Sequence, residues 1–168
     1  TWGALEMHFR PARGDKTGIY RRKAALAFAT AVEQELAAKV FSRFREGAAR
    51  TTNLPELAEE ALDTKSPDLE VLAKFILEKY PYNKHSLTLG ETEYILTRCG
   101  KSPMLLFQEL HSWVARNYPR LLEKVGTLRD VVDFRNPAAH GNAPRRTPEE
   151  IARYCMELIE SISSARSE

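Results

Sequence analysis

The stretch over residues 19–49 limits the fold more than any other part of the chain. No proline or glycine interrupts it until Gly47. Ala25, Phe28, Ala29, Val32, Leu36, Val40 and Phe44 recur every three or four positions, the spacing of one apolar stripe along an α-helix. Arg22, Glu33, Lys39, Arg43 and Glu46 fall mainly off that stripe. The pattern predicts one helix over about residues 19–49, long enough to traverse a domain of this size. The rest of the chain must supply the faces that cover it.

Those faces read as helices too. Asn53 with Glu56 three residues on resembles a helix start. Ser66-Pro67-Asp68 sets a capping hydroxyl, a proline for the first turn and an acid near the positive end of the dipole. Leu69, Leu72, Ala73, Ile76 and Tyr80 then make a stripe that ends before Pro81. Thr88 and Glu91 form a capping-box pattern for a helix closed by Gly100. Ser102-Pro103 opens another, with Leu106, Phe107, Leu110, Val114 and Tyr118 inward, interrupted at Pro119. Thr127 starts the next, burying Leu128, Val131 and Val132. Thr147-Pro148-Glu149-Glu150 starts the last, with Ile151, Tyr154, Cys155, Leu158, Ile159 and Ile162 as its stripe. Nothing alternates with period two over a useful length. The expected fold is all-α, an antiparallel bundle of about four main helices with short extra ones.

The chain of 168 residues is enough for one domain with its own core. Residues 1–16 read as a linker or arm and residues 17–168 as the helical domain. The first residue is Thr1 rather than Met, so a piece of a longer protein is expected. Lys and Arg number 25 against 23 Asp and Glu, which excludes a protein basic all over. A local basic cluster does occur: Arg10, Arg13, Lys16, Arg21, Arg22 and Lys23. It reads either as a solvated tail and first helical turn or as an RNA-contacting arm. Two cysteines, Cys99 and Cys155, make no disulfide framework and point to a reducing compartment. With no signal peptide and no apolar run of membrane-spanning length, a cytoplasmic protein away from membranes is expected.

The chemistry concentrates in Phe134-Arg135-Asn136-Pro137-Ala138-Ala139-His140-Gly141. A planar permanent cation, a carboxamide and an imidazole within one short turn suit phosphoryl chemistry. Arg135 stands three residues past Val132, four past Val131 and seven past Leu128, on the side of the buried stripe. A charge there needs a partner or a wet cleft. Pro137 lacks an N–H and disfavours helical geometry at Asn136, so the helix is expected to end or kink near Arg135. Asn136 would then cap a new turn beginning at Pro137, and Gly141 would stop it with His140 at its end.

An arginine, a polar residue and, after a short spacer, a histidine at a helix end just before the last helix resemble the signature of HEPN domains. The resemblance in residues covers Arg135-Asn136-Pro137-Ala138-Ala139-His140 and the flanking helices. It implies a metal-independent endoribonuclease acting as a homodimer with two motifs facing across a cleft. Under it, His140 is general acid or base on the 2′-OH or leaving oxygen, Arg135 holds the scissile phosphate, and Asn136 orients the pair. Attack by the 2′-OH would leave a 2′,3′-cyclic phosphate. The setting it implies is defence, stress or a toxin–antitoxin pair, with RNA or a nucleotide, an antitoxin and further domains as partners. The family also includes non-catalytic members that dimerise or bind nucleotides or proteins. Pro137 departs from a continuous helical motif and bears on how His140 is aimed.

Other readings of the same residues remain open. Arg135 is placed to pair with Asp130 or Asp133 or with helix-end carbonyls, and His140 to take part in a C-cap. Arg145 and Arg146 extend a basic surface towards RNA phosphates or are ordinary loop arginines. His111, beside Leu110 and Trp113, reads as packing or surface. His85 with Tyr80, Tyr82 and Lys84 forms a loop that stacks on a base or covers one end of the bundle. Glu59, Glu60 and Asp63 read as a solvated face. His8, His85, His111 and His140 are scattered, so neither metal nor cofactor is expected.

Overall fold

The computed structural model describes residues 18–51, 53–79 and 86–164. Among them every regular element is helical and no strand occurs, as the apolar periodicity predicts. The order is α1 (Ile19–Glu35), a π-helical segment (Leu36–Phe41), α2 (Ser42–Thr51), α3 (Leu54–Asp63) and α4 (Pro67–Ile76). Then come α5 (Leu89–Cys99), α6 (Leu105–Asn117), α7 (Pro119–Glu123), α8 (Val125–Ala139) and α9 (Pro148–Ser163). The proposed arm over residues 1–16 lies outside the described residues, as do Tyr80, Tyr82, Lys84 and His85.

The first expected helix is present as a continuous helical run, but it is not uniformly α. Ala25, Phe28, Ala29, Val32, Leu36, Val40 and Phe44 are all buried. Around Leu36–Phe41 the backbone widens to i→i+5 bonding, and the Ser42 N–H reaches the Ala37 carbonyl. The wider turn has a packing cause. Phe28, Val32, Leu36, Val40, Phe44 and Ala48 stand four apart and are all buried. In a uniform α-helix each step of four drifts by about 40°, so such a row would wind off the core. Adding a residue to one turn brings the row back and also turns Phe41 inward, fully buried. Ser42 Oγ donates to the same Ala37 carbonyl at 2.9 Å. The Tyr118 hydroxyl donates to the Lys39 carbonyl.

Helices α1, α8 and α9 form the closest-packed group, with α3 and α4 as a hairpin against α6 and with α5 between α6 and α8. Lys124, just before α8, meets Glu157 well along α9 at 2.8 Å, so those two helices run in opposite directions. Charge ties the layers as well. Glu33 on α1 accepts the Leu89 N–H at 3.0 Å, placing a carboxylate on the positive end of α5.

The capping boxes of α5 (Thr88 with Glu91) and α9 (Thr147 with Glu150) form as their sequences predict. Other starts differ. Helix α6 begins at Leu105, not at Ser102-Pro103, and Ser102 Oγ instead accepts the Met104 N–H at 3.3 Å. Helix α8 begins at Val125, two residues before Thr127. Helix α4 ends at Ile76, short of Tyr80, because Glu78 takes a left-handed backbone at φ 55°. Asn53 and Ser66 stand at N-cap positions without a side-chain cap bond. Val132 and Tyr154 are half-buried rather than core.

Candidate functional site

Helix α8 carries the motif. It does not end at Arg135, as the proline predicts, but continues through Pro137 to Ala139. Asn136 is therefore an interior helical residue and not a cap. Pro137 has no N–H to give the Asp133 carbonyl. The surrounding burial holds the helix through that loss: Leu128, Val131 and Phe134 before the proline and Ala138 after it all sit in the core. The helix then closes in a Schellman motif. Gly141 takes φ 86°, its N–H reaches the Ala138 carbonyl at 3.2 Å, and the Asn142 N–H reaches the Pro137 carbonyl at 2.8 Å. His140 is the C-cap residue.

Arg135 is half-buried, and Asn136 and His140 are exposed. On one continuous helix, residues five apart stand about 140° apart around the axis and about 7.5 Å apart along it. Asn136 and His140, four apart, share a face. Among the described residues, no hydrogen bond or ion pair engages the side chains of Arg135, Asn136 or His140. Asp130, one candidate partner of Arg135, pairs instead with Arg146 at 3.5 Å.

The start of α1 packs on the loop that follows the motif. Arg22 Nη1 donates to the Gly141 carbonyl at 3.1 Å. Gly18, at φ 68°, lies so close to Ala143 that an added Cβ would meet the alanine Cβ at 2.2 Å. A second arginine from the far end of the chain thus stands beside the motif. The motif gives no sign of Arg22; the basic run Arg21-Arg22-Lys23 was the available signal, and Arg10, Arg13 and Lys16 of that cluster lie outside the described residues.

Arg145 and Arg146 line a cleft of about 380 Å³ between α8 and the loop, together with Asp130, Asp133, Phe134 and Pro137. Arg146 is held on several sides: by Asp130, by Glu150 at 3.9 Å and by the Tyr154 ring, 5.0 Å below its guanidinium carbon. Arg145 is exposed, with no partner among the described residues. Arg135, Asn136 and His140 do not line this cleft.

His111 is half-buried against Gly100, where an added Cβ would come within 3.1 Å of its ring. Both cysteines are buried, and burial pushes the Cys99 thiol up to about 11 and the Cys155 thiol up to about 12. Neither is a nucleophile at neutral pH. Among the described residues no group of three or more His, Cys, Asp or Glu is gathered to hold a metal ion. No helix there is long and apolar enough to cross a membrane. Comparison with family models, curated proteins and solved structures gives no match.

Proposed function

We propose that this chain is a HEPN-type, metal-independent endoribonuclease of the cytoplasm, working as a homodimer in defence, stress or a toxin–antitoxin setting. The observation that carries the reading is the end of α8. An arginine and a histidine stand there accessible and without partners among the described residues, with Arg22 beside them. Unpaired polar groups held on a rigid helix are available to a substrate. His140 takes the proton of the ribose 2′-OH, the 2′-oxygen attacks phosphorus, and the bond to the 5′-oxygen breaks. The products are a 2′,3′-cyclic phosphate and a free 5′-hydroxyl. Arg135 stabilises charge on the phosphoryl oxygens, and Asn136, on the face of His140, orients the group being attacked. The reaction needs both a base and an acid, whereas one motif carries one imidazole. Two copies facing across a two-fold axis supply both.

A second reading is favoured by the freedom of the His140 ring, which no carboxylate among the described residues orients. In it the domain is a non-catalytic HEPN module that dimerises or binds a nucleotide, an antitoxin or other domains of a longer chain. One experiment separates the two. Purified chain is incubated with RNA in excess chelator, and the termini are mapped. The nuclease reading expects cyclic-phosphate ends, a loss of about 10²–10⁴-fold in rate for His140→Ala, and no cutting where the 2′-OH is removed. Wild type and His140→Ala that leave varied RNAs equally intact would favour the module.

A further inference from the structure

We propose that the cleft beside the motif is a nucleobase subsite selective for guanine, read chiefly by Asp133; the proposal rests on the RNA-cleaving function above. The cleft, at about 380 Å³, falls in the lower part of the range of roughly 300–1,000 Å³ typical of small-molecule sites. Phe134, Pro137 and Pro144 give it an apolar lining suited to a flat ring. Its charged groups are two acids, Asp130 and Asp133, and two arginines, Arg145 and Arg146. A cleft built for phosphate would not carry two carboxylates, since each repels the anion. A balanced cleft suits a neutral, strongly polar ring.

The pairing within the cleft narrows the choice. Arg146 neutralises Asp130 and is fixed over Tyr154. Asp133 and Arg145 are exposed and have no partner among the described residues. An ionised carboxylate only accepts, and its two oxygens match two adjacent donors. Guanine offers that pair, its N1–H beside its 2-amino group. Cytosine and adenine set one amino group beside an acceptor, and uracil sets one N–H between two carbonyls. Guanine also presents O6 and N7, the acceptors an arginine grips with two bonds. Asp133 and Pro137, seven and three residues before His140, stand about 20° and 60° from it around the axis of α8, so a base held there lies on the side of His140, with Arg135 about 160° away from either cleft residue.

The test uses nucleosides, which carry no phosphate, titrated into the full chain and followed by NMR. Guanosine is expected to bind about tenfold or more tightly than adenosine, cytidine, uridine and inosine, the last lacking only the 2-amino group. Asp133→Asn should erase that preference, while His140→Ala should keep it and lose RNA cleavage. Equal affinity for guanosine and inosine, no nucleoside binding, or a preference unchanged in Asp133→Asn overturns the subsite. Guanosine selectivity without any RNA cleavage leaves the subsite standing and removes the nuclease reading alone. Cleavage without base preference does the reverse.

Discussion

The two ends of α1 make opposite use of polar groups. At its far end the π turn disturbs the backbone, and side chains repair the disturbance: Tyr118 donates to the Lys39 carbonyl and Ser42 to the Ala37 carbonyl. The aromatic rings there interlock, with Phe44 edge-on to Trp113 at 5.6 Å and Phe41 edge-on to Phe75 at 6.0 Å. At the near end α1 meets the close of α8. There a Schellman turn and Arg22 satisfy the carbonyls of Pro137, Ala138 and Gly141, while no hydrogen bond or ion pair engages the side chains of Arg135, Asn136 and His140 among the described residues. Around the π turn, side-chain donors serve the backbone and so the fold. At the close of α8 the polar side chains stand idle, and those are the groups the proposed site would use.

The sharpest test of that division is Phe41→Ala. Removing a fully buried aromatic side chain should cost about 3–5 kcal/mol in urea-induced unfolding. RNA cleavage at a temperature where the variant stays folded should be unchanged. A loss of cleavage in the folded variant would show that the two ends are coupled through α1. His140→Ala is the mirror experiment: cleavage lost, unfolding midpoint unmoved, because the side chain is exposed.

Pro137→Ala moves the other way. It supplies the N–H that the Asp133 carbonyl lacks and removes a ring from a helix interior, for a gain of up to about 3 kcal/mol. Lower stability in this variant would mean that packing of the proline ring outweighs the missing hydrogen bond. Tyr118→Phe should lose about 1–3 kcal/mol, since it strips the Lys39 carbonyl of a buried donor without opening a cavity. A neutral result would mean that water or a backbone N–H satisfies that carbonyl equally well.

The same contrast governs how much the sequence discloses. The all-α class follows from periodicity alone, and the core side of the first stripe is legible residue by residue. The π turn is not, although its trace was there in the row of residues four apart from Phe28 to Ala48. A stripe is read as one face, and the drift becomes visible only when the steps are summed. At the motif, the local rule for Pro137 predicts a break, and the burial of Phe134 and Ala138 on either side overrides it. Gly141 ends the helix as expected, because a left-handed residue is demanded by the turn itself. The basic run Arg21-Arg22-Lys23 marks Arg22 as a candidate, but not its place beside Gly141, since 119 residues separate them and no local pattern encodes that contact.

The smallest effect concerns a pair away from both ends, and it checks that surface charge contributes little beside the two regions compared. Lys124 donates to the Glu157 carboxylate at 2.8 Å, and this bond, with the nearby charges of Lys124 and Arg153, holds Glu157 below the usual carboxylate range. A carboxylate depressed in the folded state binds protons more readily when unfolded. Its contribution is therefore complete above the unfolded value, near pH 4.3, and fades as the pH falls through the lower folded value. Both side chains are well exposed, at 41% and 38%, so solvent screening limits the pair to about 0.2–1 kcal/mol. Lys124→Met should lower stability by that amount at pH 7 and by nothing measurable near pH 2, with the two unfolding curves converging as acid is added. Curves that stay parallel throughout would assign the loss to the packing of the lysine stem against α9 rather than to its charge.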